Sequence, residues 1–396
     1  MLPISKMAAA VQPSATLAAG AKARQLKTEG KIVYDFSLGE PDFNTPKHIC
    51  DAAYKAMLDG HTHYTAAAGM IELRGAITRW YKRTYGYEFS PEQVIVSNGA
   101  KHSLHNALAA TVGPGDEVII PTPYWVSYSD LVQMTGAAYK LVPTTEASGF
   151  KMTPAQFKAA ITPRSRLVML NSPSNPTGSV YTGAELEALA DIAIEAKLGV
   201  ISDEIYEQLM FGNARATCFA TLRPKLAEQV ITISGVSKSY AMTGWRMGWA
   251  IAPAAVTRAM ANVQSQETSN PSSISQYAAL AALEGDQGCV EQMRVEFEAR
   301  RDLVCKRLNA LPGIRCPIPD GAFYAFFNVE SYFGKTLKGR KITDSTSFCA
   351  AALETVHVNL VQGSAFGAEG YVRLSFATSR EQINKGVDKL AEFLQG

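Results

Sequence analysis

The stretch Ser234-Gly-Val-Ser-Lys238-Ser-Tyr-Ala-Met-Thr-Gly-Trp-Arg246 sets a lysine among small residues, leaving room for a bulky covalent partner. A lysine amine condenses with an aldehyde to form an imine. Ser237 and Arg246 lie close enough in sequence to bind a phosphate, the arginine through forked, charge-assisted hydrogen bonds. Taken alone, Lys238 reads first as a solvated loop charge, because lysine is seldom buried. Ser202-Asp203-Glu-Ile-Tyr206 adds a carboxylate at the end of a β-branched run and a tyrosine one turn later. A buried aspartate beside a pyridine nitrogen keeps that nitrogen protonated, which lets the ring draw electrons. Tyr206 can hydrogen-bond a phenolic oxygen on the same ring. Asp203 serves equally well as the N-cap of a following helix.

Other loops supply matching groups. Asn175, in Asn171-Ser-Pro-Ser-Asn175-Pro-Thr-Gly178, precedes a proline and is held extended, so its amide can also address the phenolic oxygen. The same composition makes an ordinary turn. Ser97-Asn98-Gly99-Ala100-Lys101 joins a strand to a helix with small residues, which lets backbone N–H groups approach a phosphate at the helix's positive end. Trp125 can lie on a pyridine ring, or fill a core or subunit interface. In Tyr371-Val-Arg-Leu-Ser-Phe376, alternation puts Val372, Leu374 and Phe376 on one face and Arg373 with Ser375 on the other. Arg373 is then either exposed or a bidentate clamp for an α-carboxylate. Imine-forming aldehyde, protonated pyridine, phenolic oxygen and phosphate are together the groups of pyridoxal 5′-phosphate (PLP), the cofactor expected here.

Short β-branched runs must carry these loops. The strand candidates are Val94–Val96, Glu117–Ile120, Leu167–Leu170, Gly199–Ser202 and Val230–Ile233, with helical segments Lys101–Thr111, Gly183–Ala196 and Thr217–Glu228 between them. This alternation implies an α/β fold whose mainly parallel sheet is covered on both faces. Ligands in such sheets collect beyond the carboxyl ends of the strands, so five loops should converge on one site. After about residue 290 a charged helix (Glu291–Leu311), strands at Ala322–Phe327, His357–Val361 and Val372–Ala377, and a helix near Glu381–Leu394 suggest a smaller α+β domain. Residues 47–290 would form the large domain, with 1–46 and 291–396 forming the small one.

Nearly half of the 396 residues are apolar, which suits a large core, and the net charge of +2 carries no basic run that would suit nucleic acid. No segment approaches the roughly 18 apolar residues of a membrane span. Residues 1–28 hold four basic and no acidic residues, a composition that suits a transit peptide. Ser14-Ala-Thr16 before an alanine-rich stretch to Leu26 reads instead as a capped helix of the fold, the preferred reading. Six scattered cysteines without a C-x-x-C pair point to reduced thiols and a cytoplasmic protein. His102 and His105 share a helical face and His61 and His63 lie close together, but no carboxylate or cysteine completes either set, so no metal is expected.

The motifs at 171–178, 202–206 and 237–248, with Gly-Glu-Pro-Asp-Phe (39–43) and Pro-Tyr-Trp-Val-Ser-Tyr (123–128), resemble those of class I aminotransferases of PLP fold type I. The likeness is greatest to the bacterial aspartate/prephenate subgroup and runs from about Ser14 to the C-terminus. It implies a seven-stranded large-domain sheet and a ping-pong exchange of amino groups between a dicarboxylic amino acid and a 2-oxo acid. By that resemblance Lys238 is both imine lysine and proton-moving base. Asp203 pairs with the pyridine nitrogen, Tyr206 and Asn175 with the phenolic oxygen, and Trp125 stacks on the ring. Gly99, Ala100, Ser237 and Arg246 hold the phosphate, in a cofactor site that also takes in Lys101. Tyr64 reaches the neighbouring subunit's phosphate, which implies a homodimer with shared active sites. Arg373, Asn175, Trp125 and the Gly39 backbone meet the substrate, and Lys101 with Thr16 holds its distal carboxylate.

Two residues depart from the subgroup. Members that accept prephenate tend to carry a basic residue where this chain has Gln12. Glu267 stands in a loop that usually offers small neutral residues to the partner's site, where a carboxylate would repel dicarboxylates unless it turns away or pairs with a base such as Lys101. Prephenate or aromatic specificity is the alternative reading, and a PLP-dependent lyase on the same scaffold is another.

Overall fold

A computed structural model describes residues 2–11, 13 and 15–395 of the chain. The expected strands are present as β1 (Val94–Ser97), β2 (Glu117–Thr122), β4 (Ser165–Asn171), β5 (Gly199–Asp203) and β6 (Val230–Gly235). Two more join them, β3 (Ala138–Pro143) and β7 (Gly248–Ile251). The seven-stranded sheet has the order β1-β7-β6-β5-β4-β2-β3, and β7 alone runs antiparallel to its neighbours. β3 is a half-exposed edge strand with little β-branched character, and β7 reads Gly-Trp-Ala-Ile, so neither shows the pattern of a buried parallel strand.

Strand residues feed two cores alternately. Val94 and Val96 pack with helices Ile71–Tyr85 and Ser273–Glu284, whereas Ile95 faces helices Ala100–Thr111 and Ala254–Glu267. That double covering leaves only the strand ends free for a site. The helix expected at Thr217–Glu228 does not form. Two 3₁₀ turns, Phe219–Thr221 and Pro224–Glu228, replace it, because Pro224 lacks an N–H and Arg223 before it is extended (φ −146°, ψ 139°).

A third core gathers Phe36, Ile205, Phe297, Phe348, Leu374 and Phe393. It surrounds a three-stranded antiparallel sheet in which Tyr371–Ser375 lies between Val361–Gln362 and Tyr324–Asn328. The expected strand His357–Val361 is divided: Val358–Asn359 pairs with Tyr34–Asp35, and Val361–Gln362 joins the three-stranded sheet. Ala15–Thr28 is a helix whose Ala23 and Leu26 pack against Val33 and Leu353, as the capped-helix reading requires. The proposed cap, Ser14, lies outside the described residues.

Candidate active site

The carboxyl ends of β1, β2, β4, β5 and β6 open on a cavity of about 370 Å³, whose lining includes Lys101, Trp125, Asn175, Asp203, Lys238 and Arg246. The N-terminal segment adds Thr16, Leu38, Gly39 and Glu40, and the three-stranded sheet adds Tyr324 and Arg373. Lys238 Nζ donates to the Gly39 carbonyl at 2.6 Å. Burial pushes its amine down to about 8, with Arg246 and Arg373 adding to the effect and Glu40 and Asp203 opposing it. Asp203 ends β5 almost fully buried, accepting hydrogen bonds from the Tyr128 hydroxyl (2.6 Å) and the Ile205 N–H (3.3 Å). Burial raises its carboxyl to about 6, against those donors and Lys238. No helix follows Asp203, so it is not the helix N-cap of the alternative reading; its second hydrogen bond closes a turn, and its carboxylate lines the cavity.

The hydroxyls of Tyr206 and Tyr324 lie 2.7 Å apart, and burial lifts both phenols above their ordinary range. Arg373 is only 1% exposed, so the exposed-strand alternative does not hold. Its Nη1 donates to Asn175 Oδ1 (2.9 Å), its Nη2 to the Ser37 carbonyl (2.7 Å), and its buried Nε has no partner. Rings of Tyr324 and Phe366 lie 4.5 and 5.1 Å from the guanidinium carbon. Among the described residues no carboxylate pairs with this buried cation.

At the opposite end, Arg246 donates to the Thr243 carbonyl (2.8 Å) and the Asn98 carbonyl (3.4 Å). Gly99 has φ +87°, and a Cβ there would run into the Arg246 guanidinium. The Gly99 N–H is committed to the Ser97 carbonyl at 2.7 Å. Among the described residues, the N–H groups of Ala100 and Lys101 have no acceptor, so these two amides and Arg246, with Ser237 also at the cavity, make a candidate anion cradle. Such a cradle, a buried carboxylate and a low-pKa amine around one cavity fit a phosphorylated pyridine aldehyde.

Residues 31–390 match the family model for "Aminotransferase class I and II". The chain belongs to this family. An aspartate aminotransferase of Geobacillus stearothermophilus is 46% identical over 99% of both chains, and an aspartate/prephenate aminotransferase of Cereibacter sphaeroides is equally similar over the same shares. Among solved structures, the Rhizobium meliloti aspartate aminotransferase superposes with a TM-score of 0.97 at 42% identity, covering 100% of this chain and 99% of that one. The Thermus thermophilus enzyme with maleate has a TM-score of 0.94 at 39% identity, covering 99% and 100%.

In this aminotransferase the ammonium of Lys101 lies 4.9 Å from the Trp125 ring centre, and Trp125 stands edge-on to Tyr128. Burial lowers the Lys101 pKa, Arg246 adding to the effect and Asp130 opposing it. Thr16 lines the same cavity; Gln12 lies outside the described residues. Gly99 stands just behind the lining, and Tyr64, 90% exposed, is not part of it. Tyr128 and Tyr324 escaped the sequence reading. Tyr128 lies within a quoted motif but shows no cue to the strand end it faces, and Tyr324 is hidden in an apolar strand. Glu267 corrects another expectation. It lies far from His102 and His105 in sequence, yet its carboxylate meets both, Oε2 to His102 Nε2 at 3.3 Å and Oε1 to His105 Nε2 at 2.9 Å. The carboxylate thus pairs with histidines rather than with Lys101, and no three such groups among the described residues are arranged to hold a metal.

Proposed function

We propose that this aminotransferase moves the amino group of aspartate or glutamate to a 2-oxo acid in two half-reactions, with PLP held in the cavity at Lys238. The supporting observation is the pair of cations at one cavity. Arg373 is buried, forked and without a carboxylate, and Lys101 stands beside Trp125. Two cations suit the two carboxylates of a dicarboxylic substrate. PLP supplies an aldehyde that amines can join and a ring that draws electrons from the substrate Cα. Asp203 holds the proton on the pyridine nitrogen, while Tyr128 fixes the carboxylate that does so. Lys238 Nζ, with a pKa near 8, takes the Cα proton once its amine is free. Tyr206 and Asn175 address the phenolic oxygen, Trp125 covers the ring, and the amides of Ala100 and Lys101 with Ser237 and Arg246 hold the phosphate. Arg373 takes the α-carboxylate, flanked by Asn175 and the Gly39 backbone, and Lys101 with Thr16 takes the distal one. Prephenate is a second candidate acceptor, favoured by the name of the Cereibacter sphaeroides relative.

The exposure of Tyr64 suits a residue that completes the partner's phosphate site in a homodimer. Residues 47–290 form the large domain in this reading, with 1–46 and 291–396 as the small one, whose core also takes in Ile205, Leu209 and Phe211 of the large domain. Six free thiols and no helix long and apolar enough to cross a membrane, among the described residues, agree with a cytoplasmic location. The test adds aspartate alone to the PLP-loaded enzyme. The visible cofactor band should give way to that of the pyridoxamine form and return with 2-oxoglutarate. An unchanged spectrum with aspartate and glutamate, or release of ammonia and pyruvate without a 2-oxo acid, overturns the reading.

A further inference from the structure

Glu267, His102 and His105 lie outside the machinery described above, and their hydrogen bonds fix where the protons must be. The Asn98 N–H donates to His102 Nδ1 at 3.3 Å, so that nitrogen is bare and the single ring proton sits on Nε2. His102 Nε2–H then donates to Glu267 Oε2 at 3.3 Å, and the other carboxylate oxygen meets His105 Nε2 at 2.9 Å. Asn98 stands two residues before the first amide of the anion cradle. Its carbonyl accepts from Arg246 at 3.4 Å, and its side-chain amide donates to Thr268 Oγ1 at 3.1 Å. The chain of contacts runs from the end of helix Ala254–Glu267, through the histidine, to the turn that presents the Ala100 and Lys101 amides.

We propose that His102 is a positioning residue for the cofactor-phosphate loop, with Glu267 selecting the ring tautomer that leaves Nδ1 free to accept the Asn98 N–H. The inference rests on the reading of the cavity as a PLP site. A second proton on His102 can go only to Nδ1, where it would face the Asn98 N–H, donor against donor, and release the turn. His105 offers no relief, because its Nδ1 is buried without a partner. Burial holds His102 below the usual histidine range, with His105 lowering it further and Glu267 pulling the other way. From the remaining elements packed on helix Ala100–Thr111, Asp130 acts on Lys101 rather than on His102, and β1, β6 and β7 contribute apolar side chains and the neutral hydroxyl of Ser97, which accepts from Asn106.

The test measures dissociation of PLP from the holoenzyme between pH 8.5 and pH 5.5, by cofactor absorbance. His102→Gln keeps an acceptor oxygen for the Asn98 N–H but cannot titrate; His102→Leu removes the acceptor. At pH 8, His102→Leu should bind PLP roughly tenfold more weakly than wild type, and His102→Gln within about twofold. As the pH falls, wild type should weaken relative to His102→Gln by several-fold. Protonation of the cofactor phosphate is common to both and cancels in the ratio. A ratio that stays constant across the range overturns the proposal even if His102→Leu fails to fold. So does a folded His102→Leu enzyme with wild-type affinity at pH 8. Pyridoxal, which lacks the phosphate, serves as the control. If wild type bound it as tightly as PLP, the underlying reading of the loop as a phosphate site would fall too.

Discussion

Arg373 shows how a single residue changes meaning between chain and fold. Alternation along its strand leaves it on the face away from the hydrophobic set, but helix and loop cover that face as well, and the guanidinium is left with neutral partners and aromatic rings. A buried cation in that state is costly unless an anion arrives. Arg373→Lys, which keeps the charge and loses the fork, should therefore raise KM for every amino acid by about 100-fold, read from steady-state kinetics. Lys101→Ala should lower kcat/KM at least tenfold with aspartate and less than twofold with an aromatic amino acid, since only the distal contact is lost. Equal losses would place Lys101 in cofactor binding alone. The Lys238 amine at about 8 sets a pH dependence too. Only the neutral amine attacks an aldehyde, so the rate of PLP recombination with the apoenzyme should rise with pH and level off above about 8, as followed by stopped-flow absorbance.

Among the elements, β3 and β7 are the strands that sequence pattern could not reveal, and β7 matters more to the site. The short Gly-Trp-Ala-Ile run of β7 follows the lysine loop directly and inserts between β1 and β6 against the direction of both. That insertion brings Arg246 beside the β1 loop. Gly248, at the head of β7, faces the Gly99–Ala100 backbone so closely that a Cβ would overlap it. Gly248→Ala should displace the start of helix Ala100–Thr111, weakening PLP binding and costing roughly 1–3 kcal/mol of stability. Calorimetry together with a PLP titration would check both; unchanged values would mean the backbone yields more easily than its packing implies. The loop ends of β4, β5 and β6 were readable beforehand, because Asn, Asp and Lys stand out where a β-branched run stops. The helix expected across Pro224 was the reverse case, a periodic segment broken by the residue least compatible with a helix interior.

Across the whole molecule, buried acids gather just beyond the end of β5, and among the described residues no cation forms an ion pair with Glu204 or Glu207. Glu204 and Glu207 are buried beside Asp203, accepting from Ser202 Oγ at 2.8 Å and Ser234 Oγ at 2.7 Å respectively, and Glu204 Oε2 has no partner. Burial raises the Glu204 carboxyl to about 7. Its folded-state pKa exceeds that of the unfolded chain, so the stability tied to its protonated form is complete below about pH 4.5 and disappears as the pH rises through about 7. Glu204→Gln removes that titration. Wild type should lose roughly 3 kcal/mol relative to the variant between pH 4.5 and pH 8, seen as a diverging Tm. Parallel Tm curves would show that the carboxyl does not titrate in this range.

The order of chemistry-bearing loops, the mainly parallel sheet and the convergence of Lys238, Asp203, Asn175 and Arg246 on one cavity were legible in the chain, because each depends on local pattern: a β-branched run, its end, and the polar residues that follow. Other features arose only on folding. Tyr128 reaches Asp203 from 75 residues away, Tyr324 reaches Tyr206 from 118, and Glu267 reaches His102 from 165. Local periodicity carries no information about such pairs. They are set by which strand ends share an edge of the sheet and by which helices cover it. Burial, which sets the charge states of Lys238 and Asp203, likewise comes from the assembled layers rather than from any one segment.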